Sequence, residues 1–337
     1  MKIQLSHTFE DIISLENLLE AWKEFVKGKR NKADVQEFSL RLMDNILALH
    51  RDLANGTYTH GKYQAFRIAD PKPRDIHKAT VRDRLLHHAI YRVLYPIFDK
   101  TFIADSFSCR KEKGTHKALN RFRSFGQKVS KNDTKTCWVL KCDIQKFFAS
   151  VDHRMVLDML ETYIPDKKIA WLLDRVRSSF SSTRPGIGLP LGNLTSQLFC
   201  NIYMNEFDQF VKHQLKAAYY IRYADDFALF CENRGWLVEQ IPKTRNFLQE
   251  KLHLTLHPKK LFLQTVSSGV DFLGWVHFPD HRVLRTSTRN RMNRRTRENP
   301  TPETYNSYLG LLGHGNTEKL QRELKRQYLL SGGSVED

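Results

Sequence analysis

Three aspartates carry the chemistry this chain is equipped for. Asp225 and Asp226 are adjacent within YYIRYADDFALFC (219–231), between two runs of apolar, aromatic and β-branched residues. Those runs read as the strands of a hairpin, with Ala224-Asp225-Asp226 as its tight connection. Two carboxylates at a strand end repel each other and lose hydration, a cost that a bound cation removes; hard oxygen ligands suit Mg²⁺, or Mn²⁺ in its place. Asp143 follows a second apolar run, Trp138-Val139-Leu140, in WVLKCDIQKFFASVDH (138–153). Asp143 and Asp225 together could hold two metal ions about 3.5–4 Å apart, one activating an attacking 3′-hydroxyl and both stabilising an in-line displacement at phosphorus. Either stretch alone also reads as an ordinary turn; the two in this order, in so basic a chain, favour the metal reading.

Composition narrows the partners. Lys and Arg number 54 against 37 Asp and Glu, a net charge of +17 over 337 residues. Such an excess favours a polyanion, nucleic acid first and a membrane surface second. No apolar run approaches the roughly 20 residues that span a bilayer, and MKIQLSHTFED lacks the apolar stretch of a signal peptide, so no membrane is expected. Five cysteines (Cys109, Cys137, Cys142, Cys200, Cys231) form no CxxC pair, which suits a reducing cytoplasm. The length exceeds a usual single domain and predicts two or three subdomains.

The elements that must position the aspartates follow from periodicity. Helices are predicted over 8–27, opened by Thr8-x-x-Asp11 and stopped by Gly28, and over 33–54, stopped by Asn55-Gly56. A short strand then runs into a Pro-rich basic loop, and Thr80-x-x-Asp83 caps a helix that Pro96 ends or kinks. Helices are predicted at 153–163 and 166–180. A glycine-rich loop (Gly186, Gly188, Pro190, Gly192) precedes a helix with Phe199, Ile202, Tyr203, Phe207, Phe210 and Val211 on its core side. A helix at 242–253 leads to paired short strands in LHLTLHPKKLFLQ, and helices recur over 303–330.

Together these stretches resemble a reverse transcriptase from about residue 60 to 313: YADD is similar to the family's Tyr-x-Asp-Asp hairpin, and Asp143 to its first catalytic aspartate. The resemblance implies an α+β right-hand polymerase. Its parts would be an N-terminal helical extension (1–60), fingers and palm (61–279), a basic linker and helical thumb (280–330) and a disordered tail (331–337). The palm would be an antiparallel sheet with helices on one face. Asp143, Asp225 and Asp226 would be catalytic and bind two Mg²⁺ ions, Asp226 less directly. Arg110, in DSFSCRKEKGTHKAL, and Lys113 would meet the incoming triphosphate, although Cys109 and Lys-Glu-Lys depart from the commoner Gly-Phe-Arg-x-Gly-Arg form. Phe148 would sit under the sugar and exclude a 2′-hydroxyl. Lys260, with Lys259 as a rival, would protonate the departing pyrophosphate. Lys72, Arg74 and Arg82, Gly274 of the Phe-Leu-Gly hairpin, and Arg289, Arg291 and Arg294 of an arginine-dense stretch would hold template and primer.

The triplet Pro190-Leu191-Gly192, where the family commonly has Pro-Gln-Gly, followed by Thr195-Ser196-Gln197, resembles the reverse transcriptases of diversity-generating retroelements. That likeness implies copying of a template-repeat RNA with errors at adenines, Leu191 and Gln197 tuning fidelity and Leu191 and Gly192 meeting the nucleotide. It also implies template RNA, a primer, dNTPs and a small basic accessory protein as partners. Retron and group II intron enzymes share the catalytic motifs. An abortive-infection polymerase and a catalytically silent RNA-binding scaffold complete the alternatives. The chain is too short for RNase H or endonuclease domains on this reading.

Overall fold

In a computed structural model, residues 6–69 and 73–332 are described; Lys72 and the tail from 333 onward lie outside them. At the start, Thr8 and Asp11 form the expected capping box. The helix expected over 8–27 is two, Phe9–Ile13 and Leu15–Phe25, because Ser14 turns extended (ψ 144°) and caps the second through the Asn17 N–H. Arg41 (ψ 46°) likewise divides the next into Ala33–Leu40 and Leu42–Ala54.

Strand β1 (Gln64–Ile68) pairs antiparallel with β2 (Arg74–Lys78), with Phe66 opposite Ile76. Only the first of these was expected as a strand. Thr80 caps the helix Val81–Phe98, which carries Pro96 within it. Along its buried face, Leu85, Leu86, Ile90 and Leu94 are fully enclosed, and it packs against both Leu15–Phe25 and Leu194–Gln209. Helices His153–Glu161 and Lys167–Ser178 start at Asp152 and Asp166, whose carboxylates accept first-turn N–H groups. Leu194–Gln209 buries Phe199, Ile202, Tyr203 and Phe207, as expected, and ends in a wide turn at Phe210–Gln214. Arg234–Leu252 begins eight residues earlier than periodicity indicated, with Pro242 inside it.

The chain divides into two compact units. The first comprises Met1–Arg110, Ile144–Lys216 and Pro242–His257 and is mainly helical; the second comprises Lys111–Asp143, Ala217–Ile241 and Pro258–Asp337. The second holds a four-stranded antiparallel sheet in the order β4-β5-β3-β6, from β3 (Trp138–Asp143), β4 (Tyr219–Tyr223), β5 (Asp226–Cys231) and β6 (Phe262–Thr265). Phe122 and Phe125 of the helix Thr115–Ser130 lie edge-on to Phe230. Phe122 also stacks on Phe272 of a three-stranded sheet, β7 (Val270–Phe272), β8 (Trp275–His277) and β9 (Arg282–Leu284).

Two expectations are corrected. Residues 253–265 do not pair with each other: only Phe262–Thr265 is a strand, and it pairs with β3, Trp138 opposite Thr265, while Leu256 makes an isolated bridge to Ile144. The basic stretch after 280 is no linker. Thr286–Glu298 is a helix that buries Thr288, Met292 and Thr296, four residues apart on one side, and packs with Pro302–Leu312 and Glu318–Leu330. This narrow buried stripe, Met292 between two threonines, anchors it, and most of the helix's arginines are left on its outer side. Tyr305 stacks on Tyr328 within this group, ring centroids 4.7 Å apart. Among the described residues, no helix is long and apolar enough to cross a membrane.

Candidate active site

β4 and β5 close on a two-residue turn, Ala224-Asp225, with Tyr223 opposite Asp226. Asp226 is therefore the first residue of β5 rather than part of the connection. Ala224 takes the left-handed conformation (φ 56°) that so short a turn demands. On the other side of β5, the ladder sets Asp143 opposite Asp226. Three aspartates are thus placed at one corner of the sheet, two by strand register and one by the turn.

Lysines neutralise that corner. Lys260 Nζ donates to both carboxylate oxygens of Asp143, each at 2.9 Å. Lys141 lies two residues before Asp143 and so on the same face of β3; its Nζ is 3.5 Å from Asp226 Oδ1. That oxygen is buried and makes no hydrogen bond. Burial chiefly pushes the Asp226 carboxyl up to about 6; Lys141 opposes the shift, and the charges of Asp143 and Asp225 add to it. The set fits a divalent cation: the donors are hard oxygens, one is unsatisfied, and their mutual repulsion is what a cation relieves. Among the described residues no three His, Cys, Asp or Glu side chains stand converged to coordinate a metal, and lysines rather than further carboxylates contact Asp143 and Asp226. The Tyr223 hydroxyl is 3.1 Å from Thr115 Oγ1, at the start of the helix that backs the sheet. Lys113 precedes Gly114, the N-cap position of that helix, which offers no side-chain cap, and the first turn holds no acid.

The first unit carries the remaining nucleotide candidates. Leu189 N–H donates to the Phe148 carbonyl at 2.8 Å, and Gly188 N–H to that of Val151 at 2.8 Å. His77 N–H of β2 donates to the Leu191 carbonyl at 3.1 Å. Gly192 has φ 105°, and a Cβ there would lie 3.1 Å from Ile76 Cγ2. Gln197 is half-buried in the first turn of Leu194–Gln209. Arg110 is placed otherwise than a triphosphate ligand would be. Its side chain is 5 % exposed, paired with Asp99 at 2.7 Å and donating to the carbonyls of Ile103 and Ser106. Contact with a triphosphate would require it to leave these partners.

The basic candidates also separate. Arg74 is exposed at the start of β2, whereas Arg82 is paired with Asp52 at 2.5 Å, and Lys78 and Arg84 both meet Asp34. Gly274 (φ 88°) makes the β7–β8 turn with Leu273, and its carbonyl accepts from Arg285 N–H. Arg289 is exposed but bridges to Glu323 at 2.9 Å, Arg294 faces Glu298 at 3.8 Å, and Arg291 is partly exposed. Sequence reasoning missed Lys141, Thr115 and Asn193. For Lys141 the signal was present, since Lys-x-Asp on a strand places both side chains on one face.

Residues 69–277 match the family described as reverse transcriptase (RNA-dependent DNA polymerase). The chain is 26 % identical over 289 residues to Protein YkfC of Escherichia coli K12, covering 72 % of this chain and 73 % of that one. It is 23 % identical over 319 residues to the group II intron-encoded protein LtrA of Lactococcus lactis, covering 73 % of this chain but only 51 % of LtrA. Among solved structures, telomerase from Candida albicans in complex with a fragment of telomeric RNA superposes with a TM-score of 0.51 at 12 % identity, covering 81 % of this chain and 55 % of that one. The fold is that of a right-hand polymerase.

Proposed function

The chain belongs to the reverse transcriptase family, and from that premise we propose that it extends a primer 3′-hydroxyl with deoxynucleotides on an RNA template. The observation that carries this reading is the ladder that sets Asp143 opposite Asp226 with Asp225 in the adjoining turn. Asp143, Asp225 and Asp226 would hold divalent ions, Mg²⁺ or Mn²⁺, which when bound would supply charge neutralisation for the displacement at phosphorus. Lys260 holds a proton 2.9 Å from Asp143 and is the group to deliver it to the departing pyrophosphate. Phe148 excludes a ribose 2′-hydroxyl by bulk. Arg74, Gly274 and the arginines of Thr286–Glu298 hold template and primer through phosphate.

The finer reading is synthesis of cDNA from a template-repeat RNA with errors at adenines, for diversification of a target gene, aided by a small basic accessory protein. Its support is Leu191 in place of glutamine, with Gln197 six residues on. Leu191 offers shape without a hydrogen bond, and shape alone discriminates by about 1–3 kcal/mol. A second reading, a group II intron-type enzyme with even fidelity, is favoured by the similarity to LtrA.

Primer extension on a defined RNA with Mg²⁺ and four dNTPs, every product sequenced, tests both readings. Templated DNA absent from Asp225→Asn supports the polymerase. Errors concentrated opposite adenine support the diversifying role, and evenly spread errors the intron-like one. Absence of product with cognate RNA and accessory protein overturns both.

A further inference from the structure

Asn193 occupies a position where asparagine ordinarily stabilises a helix, yet it does something else. It is the N-cap of Leu194–Gln209 with extended backbone (φ −103°, ψ 142°), the setting in which an asparagine Oδ1 accepts the N–H of the second or third helical residue. No such bond forms. Instead Nδ2 donates at 3.1 Å to the carbonyl of His77, 116 residues away in β2. The side chain is 2 % exposed, and its Oδ1 is buried without a hydrogen bond, so local capping is forgone for a long-range tie.

The tie is reciprocal. His77 gives its N–H to the Leu191 carbonyl and takes the Asn193 amide on its own carbonyl, so both backbone groups of one β2 residue are claimed by the loop. Between the two contacts lies Gly192, where a Cβ would crowd Ile76 of the same strand. The His77 ring packs edge-on to Phe180, ring centroids 4.5 Å apart. Before Leu191 the loop is fastened separately: Leu189 to Phe148, Gly188 to Val151, and the His153 ring N–H to the Gly188 carbonyl at 2.5 Å. Leu191 is thus held by 148–153 on one side and by β2 on the other, where one backbone bond and one side chain make the tie.

We propose that Asn193 is a positioning residue that locks β2 to the Leu191 loop and thereby sets the selectivity of nucleotide incorporation. The proposal deepens the polymerase reading and rests on it for the selectivity. A loop free to shift against β2 presents Leu191 at variable height, which weakens a discrimination based on shape while leaving the carboxylates untouched.

The test uses Asn193→Asp and Asn193→Ser in the full chain. Both residues cap helices well and neither carries the amide that reaches His77; because the Asp also buries a charge, the melting temperature is compared in Asn193→Ser. Hydrogen exchange at the His77 amide is expected to accelerate about tenfold, the scale of one lost hydrogen bond. The KM for dNTP is expected to rise more than kcat falls, and the ratio of correct to incorrect incorporation to change, with the melting temperature held. Unchanged exchange at His77 overturns the lock. Faster exchange with an unchanged error spectrum, or a fall in melting temperature with kcat and KM altered in proportion, reduces Asn193 to a structural role and overturns the selectivity claim. The exchange measurement needs no catalysis. A wild-type chain that makes no DNA would therefore overturn the polymerase reading, and the selectivity claim with it, while the lock is decided independently.

Discussion

The Ala224-Asp225 turn and the loop at 188–193 both use left-handed backbone, but they are held in different ways. The turn is the tip of a ladder in which every residue of β4 and β5 pairs, and β3 extends the same sheet beyond it. The carboxylates beside it, Asp143 and Asp226, are met by Lys260 and Lys141. The loop has no ladder of its own. It hangs from backbone hydrogen bonds to Phe148, Val151 and His77 and from the one side chain of Asn193. On the proposed reading, charge chemistry thus falls to a fully laddered part of the sheet, where a carboxylate is hard to misplace. On the same reading, discrimination falls to a segment whose position a few hydrogen bonds adjust.

The largest effect expected on the rigid side is from Asp225→Asn, which keeps shape and removes charge. Primer extension should fall by more than the roughly 100-fold upper range of outer-shell losses, with RNA binding retained in a gel-shift assay. Activity within tenfold of wild type would break the contrast. Next, Lys260→Met should lower the single-turnover rate by about 100-fold if the lysine is the proton donor. Proton competition gives a third effect. Asp226 is raised to about 6, so it is protonated as pH falls through that value, and a divalent ion must then displace the proton. Calorimetric titration with Mn²⁺ should show affinity weakening by up to about tenfold per pH unit below 6 and levelling off well above it.

On the adaptable side, Gly192→Ala should cost about 1–2 kcal/mol in chemical denaturation, since it forces a side chain into φ 105° and against Ile76. The smallest effect belongs to Leu191→Gln, which should leave the extension rate nearly intact and shift the adenine error frequency by about tenfold, read by product sequencing. A large rate loss there would show that the loop does more than discriminate.

How far the sequence disclosed this arrangement depended on whether the signal was local. Thr8, Thr80 and the YADD turn were legible because a cap or a two-residue turn is determined within four residues. The core side of Leu194–Gln209 was legible because its aromatic spacing is unambiguous. Ser14 and Arg41 were not legible as helix breaks, since neither is a strong breaker and the apolar spacing continues across both. β6 was assigned the wrong partner because strand pairing is decided by tertiary contact, here with Trp138 through Lys141, and Phe262 to Thr265 show no preference among neighbours. Arg110 read as a free cation because Asp99, eleven residues earlier, shows no periodic relation to it. Asn193 was hidden for the same reason at greater range: at an N-cap, an asparagine looks fully explained.

Each of the two compact units is built from three separate stretches, and the chain alternates between them. During synthesis the first unit cannot complete its contacts until Pro242–His257 has emerged. By then two stretches of the other, Lys111–Asp143 and Ala217–Ile241, are already waiting for partners that come after residue 258. No single cut of the polypeptide liberates either unit whole. Fragments made to isolate the aspartates will expose unpaired strands, and complementation between co-expressed halves is the form in which a divided chain would be recovered.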